Sequence, residues 1–210
     1  MKKPAARAPD MPMNLPSPAR SALAWVLSAT LVMNPLGPAL AQVTAAGGGT
    51  TVGAAGNGVP VVDIAAPNAR GLSHNRFTDY NVGRAGLILN NAPGATQPTQ
   101  LGGLIVGNAR LGGTAASLIV NEVTGGRPST LAGYTEIAGP AARLVVANPW
   151  GLACDGCGFL NTPRVTLTTG TPRIEDGRLA GLRVEGGEIA IEGAGLNAGN
   201  LDQFDLVTRS

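Results

Sequence analysis

The residues best suited to chemistry in this chain are Cys154 and Cys157 of the Cys154-Asp-Gly-Cys157 motif, which are its only two cysteines. In an oxidising compartment such a pair forms a disulfide, and the short loop pins one turn of chain. A redox-active Cys-x-x-Cys needs a helix N-terminus to lower the thiol pKa. Because the following Gly158–Pro163 segment is a poor helix sequence, we expect a structural disulfide. A redox site and reduced thiols are the alternatives.

Metal and catalytic chemistry have little support elsewhere in the sequence. His74 is the only histidine, so it and two cysteines do not supply four tetrahedral zinc ligands, and we expect no metal and no cofactor. No Gly-x-Ser-x-Gly elbow accompanies His74, which we interpret as a turn residue. Glu185, Glu188 and Glu192 alternate along predicted strands rather than clustering. We therefore expect no enzyme, with a polysaccharide-cleaving enzyme as the least favoured alternative.

The composition favours a repetitive all-β protein. The chain has 31 Gly, 44% hydrophobic residues and only 13% charged residues, whereas globular domains average about 25% charged residues. Both lysines, Lys2 and Lys3, lie at the N-terminus, and residues 42–210 hold 11 of the 15 basic and 12 of the 13 acidic residues. A chain without a basic excess is not expected to bind nucleic acid.

The first 41 residues have the organisation of a secretory signal peptide. Basic residues precede the apolar segment Ser21–Met33, and Ala39-Leu40-Ala41 places small residues before a cleavage site between Ala41 and Gln42. The apolar segment is shorter than the ~20 residues of a membrane-spanning helix. We expect residues 1–41 to direct export by the Sec machinery and then to be removed; an uncleaved membrane anchor is the alternative.

Short apolar runs, each closed by Gly or Asn, recur after a Gly/Ala/Thr-rich segment at Gln42–Gly58 that predicts a lead-in strand or cap. Period-two alternation around Leu182 and Ile189 indicates strands with one buried face. Short strands and turns predict coils of roughly 20–25 residues, as in a parallel β-helix. A β-sandwich is less favoured, because hairpin dipeptides are nearly absent apart from Asn57-Gly58. The runs are Val59–Ile64, Gly86–Asn90, Gly103–Gly107, Ser117–Asn121, Arg143–Ala147, Val165–Thr168, Gly181–Val184, Gly187–Ile191, Gly195–Leu196 and Phe204–Val207.

Several segments resemble the N-terminal secretion domain of filamentous-haemagglutinin and haemolysin-type exoproteins of two-partner secretion pathways. They occur in the family's order: Ser73–Val82 with Gly86–Asn91, Ser117–Gly125, Gly133–Gly139 and Ala147–Thr162. The last segment resembles the family's Asn-Pro-Asn-Gly motif and the region after it, with Trp150 where the family usually has Asn.

The resemblance implies an all-β, right-handed parallel β-helix of the single-stranded, pectin-lyase-like type over residues 42–210. It also implies a partner, an outer-membrane β-barrel transporter with periplasmic binding domains, and a route through the periplasm to the surface of a Gram-negative bacterium. Asn121, Glu122, Asn148 and Pro149, with Gly151 closing the motif, become candidates for transporter recognition. The alternative is structural, because Asn commonly occupies β-helix turns and Asn148-Pro149 is a natural turn start.

Family exoproteins are adhesins, haemolysins or contact-dependent toxins, and their activity lies far downstream of this domain. We therefore expect a secretion and targeting module. A self-standing adhesive β-helix that binds glycan or a host-cell surface is the alternative. The Phe204–Thr208 segment looks like part of an unfinished coil, so we expect the domain to be truncated at its C-terminal end.

Overall fold

The structure is a computed structural model, and it describes residues 42–209. The predicted signal peptide, including Ala41 at the predicted cleavage site, lies outside the described residues, so that prediction stays open. Between residues 42 and 209, no helix is long and apolar enough to cross a membrane.

The regular secondary structure of the described chain consists of short strands, with one 3₁₀ turn at Ala109–Leu111. Val, Ile, Leu and Thr dominate these strands, as expected for residues that fit a pleated, half-buried surface. The strands are β1 Val43–Ala45, β2 Thr51–Ala54, β3 Pro60–Asp63, β4 Leu72–Tyr80, β5 Leu87–Asn90, β6 Thr96–Thr99, β7 Gly103–Val106, β8 Leu118–Val123, β9 Ser129–Leu131, β10 Tyr134–Ala138, β11 Arg143–Ala147, β12 Leu152–Cys154, β13 Cys157–Leu160, β14 Arg164–Thr168, β15 Gly170–Glu175, β16 Arg178–Val184, β17 Ile189–Ile191, β18 Leu196–Asn197 and β19 Gln203–Val207.

Three parallel sheets form the sides of a β-helix. The broad face contains β4, β8, β11, β14 and β19, the opposite face contains β3, β5, β10, β13 and β18, and the short face contains β9, β12 and β17. The chain passes from the broad face to the short face and then to the opposite face. Leu144 pairs with Ile119 of the preceding coil and with Val165 of the following coil, which are 25 and 21 residues away. The predicted coil length and parallel β-helix are confirmed.

The interior is filled by apolar side chains stacked in register. Ile119, Leu144 and Val165 occupy equivalent positions on successive broad-face strands and are at most 1% exposed. Asn side chains bond the backbone at the corners. Asn91, for example, donates to the Ala116 and Pro140 carbonyl oxygens at 2.9 Å each. The coils are thus held by apolar stacking inside and by amide hydrogen bonds at the corners.

The N-terminal segment caps the first coil with antiparallel strands. β1 pairs with β4, and β2 pairs with β3. Buried Asn75 on β4 ties this cap to the coil, since its Oδ1 accepts from Thr50 Oγ1 and from the Ala65 N–H at 2.8 Å each. The predicted cap at Gln42–Gly58 is confirmed, and its role is to cover strand edges that would otherwise stay open.

Two antiparallel hairpins interrupt the coils, and here part of the strand interpretation was wrong. The runs Gly103–Gly107 and Gly181–Val184 belong to hairpins β6–β7 and β15–β16 rather than to coil strands. The second hairpin turns at Asp176-Gly177, whose φ values of 49° and 73° suit a two-residue hairpin turn. That dipeptide was a hairpin signal the sequence interpretation overlooked.

Hairpin β15–β16 packs on the outside of the broad face. Ile174, Leu179 and Leu182 of the hairpin contact an outward apolar cluster, which comprises Leu72, Val120, Val145 and Ala147. The alternation around Leu182 therefore does mark a strand with one buried face. Its apolar side covers the exterior of the coils instead of facing their interior.

Candidate functional site

The five residues proposed from the resemblance lie on adjacent coils, at the corner where the broad face meets the short face. Asn121 and Glu122 of β8 pair with Val146 and Ala147 of β11. Asn148 follows directly, and Pro149 and Gly151 complete the corner. We call Asn121, Glu122 and Asn148–Gly151 the Asn148 corner.

Asn148 is fully buried and uses its whole side-chain amide. Its Nδ2 donates to the Arg127 carbonyl oxygen at 3.0 Å and to Ser129 Oγ at 2.9 Å, both on the preceding coil. Its Oδ1 accepts from the Trp150 N–H at 2.9 Å. A side chain with these bonds fixes the local turn and fastens it to the neighbouring coil.

The motif Asn148-Pro149-Trp150-Gly151 forms a tight turn, closed by a 3.1 Å hydrogen bond from the Gly151 N–H to the Asn148 carbonyl oxygen. Asn, Pro and Gly at the first, second and fourth positions match a type I turn. Gly151 has φ of 119°, and a Cβ there would lie 3.2 Å from the Glu188 carbonyl oxygen. Trp150 keeps a negative φ and is 54% exposed. Trp at this position is therefore compatible with the turn.

Asn121 is buried inside the coils between Asn75 and Val146. Its Nδ2 donates to the Tyr80 hydroxyl oxygen at 3.2 Å, and within residues 42–209 its Oδ1 has no hydrogen-bond partner. Burial raises the pKa of the Tyr80 phenol, an effect that the bond with Asn121 partly offsets. An unpaired buried oxygen costs about 1–3 kcal/mol, so Asn121 contributes less to stability than Asn148 does.

Glu122 points outward from β8 and pairs with His74 of β4, with 2.7 Å between its Oε2 and the histidine Nε2. The interpretation of His74 as a turn residue was wrong, because it lies within the nine-residue strand β4. The motif around His74 continues without Gly or Pro through Tyr80, and this was the available signal for a strand.

An ion pair between exposed Arg127 and buried Asp79, beside the corner, was missed from the sequence. Arg127 donates to Asp79 Oδ1 at 2.6 Å from Nη2 and 3.0 Å from Nε, and the Asp79 side chain is 6% exposed. The same arginine offers its carbonyl oxygen to Asn148. The partners are 48 residues apart, and only the stacking of coils brings them together.

Cys154 and Cys157 form a disulfide at the next corner, between the short and opposite faces, with 5.3 Å between their Cα atoms. Both are buried. The intervening Asp155 accepts from the Ala194 N–H at 2.8 Å, which ties this loop to the following coil. The disulfide thus lies apart from the Asn148 corner. Over residues 42–209 no group of three or more His, Cys, Asp or Glu could hold a metal ion.

Comparison with known proteins decides the family. Residues 41–210 match the family model described as TPS secretion domain. The chain belongs to this family. The resemblance inferred from Ser73–Val82, Ser117–Gly125 and Ala147–Thr162 is confirmed.

The relatives of this TPS secretion domain include Toxin CdiA of Escherichia coli, 54% identical over 90% of this chain and 6% of the relative. The 16S rRNA endonuclease CdiA of Enterobacter cloacae is 53% identical with the same coverages. A crystal structure of the filamentous hemagglutinin secretion domain matches with a TM-score of 0.74 and 43% identity, covering 80% of this chain and 55% of that one. The predicted β-helix class is confirmed by this match.

This chain spans about 6% of the length of the CdiA relatives. The word endonuclease in one of their names describes that whole protein, whereas the matched part is a secretion domain. The chain is accordingly a secretion module rather than a catalytic unit. The expected C-terminal truncation stays a prediction.

Proposed function

We propose that residues 42–210 are the part of a large CdiA-type or haemagglutinin-type exoprotein that an outer-membrane β-barrel transporter recognises through its periplasmic binding domains. Residues 1–41 would first direct the chain through the Sec machinery. The secretion-domain match and the CdiA relatives support this proposal. The product then reaches the surface of a Gram-negative cell or its medium.

The residues of the Asn148 corner differ in exposure, and this difference supports separate roles for them in our proposal. Asn121 and Asn148 are both 0% exposed, so a partner of the folded domain does not touch them. Pro149 is half-buried, while Trp150 is 54% exposed at the tip of the turn. We assign contact with the transporter to Pro149 and Trp150, and positioning to Asn148, which sets the turn that presents them.

Trp150 suits a contact role on physical grounds. Large aromatic side chains dominate the binding energy of protein interfaces, and an exposed Trp leaves apolar surface in water. The exposed arginine Arg127 lies one coil away and adds a polar rim, because its guanidinium is held by buried Asp79. An apolar centre with a polar edge is the usual arrangement of a docking site.

The stacked coils also suggest how folding supports export. Each coil packs on its neighbours, and the β1–β2 cap closes the first coil, so folding outside the cell can proceed coil by coil from the capped end. We propose that recognition holds the corner at the transporter while these coils form. The relatives named as toxins suggest that a contact-dependent toxin is one cargo of such a module.

Release into culture medium tests the proposal. The full chain is co-expressed with a cognate transporter, and release is compared for Trp150→Ala and for Leu104→Ala, an exposed apolar residue of hairpin β6–β7 used as the control. We expect release only with the transporter, about tenfold less release for Trp150→Ala, as for loss of an interface hot spot, and wild-type release for Leu104→Ala. Equal release with and without the transporter would refute the function.

Binding of the exported chain to host cells tests the adhesive alternative. Saturable binding that does not depend on any transporter would favour a self-standing adhesin. Its absence, together with transporter-dependent release, would leave the export module as the function of this segment.

A further inference from the structure

A cleft of about 1070 Å³ lies beside hairpin β15–β16, where the hairpin meets the outer side of the broad face. One wall is formed by β16 and the other by the outward side of β8, β11 and β14 together with β19. The cleft arginines Arg143 and Arg164 begin β11 and β14, whereas the Asn148 corner follows the end of β11.

The cleft is strongly basic for a protein with so few cations. Arg70, Arg143, Arg164 and Arg178 line it, and Asp205 is its one acidic lining residue. Residues 42–210 have more acidic than basic residues, so this concentration of arginine is local. Leu118, Leu179 and Leu182 supply apolar surface between the charges.

Three of the four arginines that line the cleft have no carboxylate partner in the described part of the chain. Arg143 and Arg164 each precede one of the paired residues Leu144 and Val165, so they are neighbours on parallel strands about 4.8 Å apart. Arg164 Nε donates to Asp205 Oδ2 at 2.8 Å. In the described part of the chain, Arg70, Arg143 and Arg178 have no ion pair. An anionic ligand would compensate the charge of these three arginines.

The hairpin also offers a strand edge to the cleft. Within residues 42–209, β16 pairs with β15 alone, so its second edge carries unpaired backbone groups. The β16 residues Arg178, Leu179, Gly181 and Leu182 line the cleft, whereas no residue of β15 does. The free edge of β16 therefore faces the cleft, where an extended chain could hydrogen-bond to it.

We propose that this cleft binds an extended acidic peptide segment, which adds as a strand to the free edge of β16 and places carboxylates against Arg70, Arg143 and Arg178. Arginine recognises carboxylates through paired N–H donors, and the leucines between the arginines accept the apolar side chains that alternate with carboxylates along a strand. The cleft exceeds the volume of a single small anion. The inference is independent of the proposed function, since it concerns direct binding of a peptide.

Fluorescence anisotropy with the purified exported chain tests the proposal. The probe is a labelled peptide of about eight alternating Glu and Val residues, which spans a strand of that length at about 3.3 Å per residue. We expect saturable binding that weakens with added salt. Arg143→Gln and Arg178→Gln should each weaken it about threefold to fivefold. The control Arg84→Gln lies outside the cleft and should leave binding unchanged.

Two further probes identify the occupant. A peptide methylated on alternate backbone nitrogens should lose binding about tenfold or more, because it cannot complete strand hydrogen bonds. A sulfated glycan fragment should compete poorly. Equal binding of the methylated peptide, tighter binding of the glycan, or unchanged binding by Arg143→Gln with a wild-type circular dichroism spectrum would each overturn the proposal. Because binding is measured without a transporter, failure here leaves the export function untouched.

Discussion

Coil strand β11 and hairpin strand β7 have similar apolar sequences, Arg143–Ala147 and Gly103–Val106, but opposite surroundings. In β11 every residue after Arg143 is buried, whereas in β7 Leu104 and Val106 are 68% and 77% exposed. The coil strand has a parallel neighbour on each side, and the hairpin strand has one antiparallel partner. Position in the stack, rather than the composition of the run, decides how much a strand contributes to stability.

The turns of the two regions differ in the same way. The turn at Asn148 is anchored by a buried amide that reaches the preceding coil. The turn at Asp176-Gly177 depends on its own backbone conformation and on one exposed contact, from Asn68 Nδ2 to the Gly177 carbonyl oxygen at 2.9 Å. We therefore expect the coils to unfold as one cooperative unit and hairpin β15–β16 to open locally.

Core truncation should show the largest contrast. Leu144→Ala leaves a cavity in the stacked interior and should lower the free energy of unfolding by about 3 kcal/mol. Leu179→Ala, on the half-buried hairpin, should cost about 1 kcal/mol. Urea unfolding followed by circular dichroism measures both. Equal losses would show that the hairpin is as integral to folding as the coils.

Turn anchoring should give the next largest effect. Asn148→Ala removes three hydrogen bonds and leaves buried partners unpaired, so we expect a loss of about 2–3 kcal/mol in the free energy of unfolding. The control Asn197→Ala removes an exposed side chain that bonds the Tyr134 hydroxyl, and should cost less than about 1 kcal/mol. A loss below that of Asn197→Ala would contradict the assigned positioning role.

Alkaline pH should destabilise the coils through Tyr80. Burial raises the pKa of its phenol, so the unfolded chain releases this proton at lower pH than the folded chain. Stability is then intact below about pH 10 and falls above it, by about 1.4 kcal/mol at pH 11 for one tyrosine. Denaturant unfolding at several pH values measures this loss of stability. The Tyr134→Phe variant keeps Tyr80 and should show the full loss, whereas the Tyr80→Phe variant should show a smaller loss. Residues 42–210 contain no lysine, whose titration would overlap that of tyrosine.

The hairpin turn should give the smallest change in global stability. Gly177 has φ of 73°, and a Cβ there would lie 3.1 Å from Asn68 Nδ2, so Gly177→Ala should cost about 1 kcal/mol locally. Hydrogen exchange should rise in β15 and β16 and stay unchanged in β11 and β14. Faster exchange throughout the coils would contradict the separation between the two regions.

The sequence was sufficient for the coil strands and for the turn at Asn148. Arg143–Ala147 was predicted with the bounds observed, because an apolar run closed by turn residues on both sides has few other conformations. The turn at Asn148 could be predicted because Asn, Pro and Gly in the Asn148-Pro149-Trp150-Gly151 motif are residues that favour turns. The hairpins were missed because their apolar runs look like coil strands, and for β15–β16 because the Asp176-Gly177 turn signal was overlooked.

Contacts between distant coils could not be predicted from local patterns. The Asp79–Arg127 pair and the His74–Glu122 pair each join residues 48 apart, and nothing near either residue in the sequence specifies its partner. Burial of Asn121 beside Tyr80 likewise depends on which strands stack. These features depend on which residues of neighbouring coils are aligned. Insertions such as the two hairpins change that alignment, and the size of the change cannot be predicted from local sequence.

Site-specific photo-crosslinking during export shows whether the turn at Trp150 contacts the transporter. A photoreactive aromatic residue is placed at Trp150 or, separately, at Leu104, and the chain is trapped while it is exported through its transporter. We expect a crosslink to the transporter's periplasmic domains from position 150 and none from position 104. A crosslink from position 104 alone, or none from either position while release continues, would show that Trp150 does not contact the transporter.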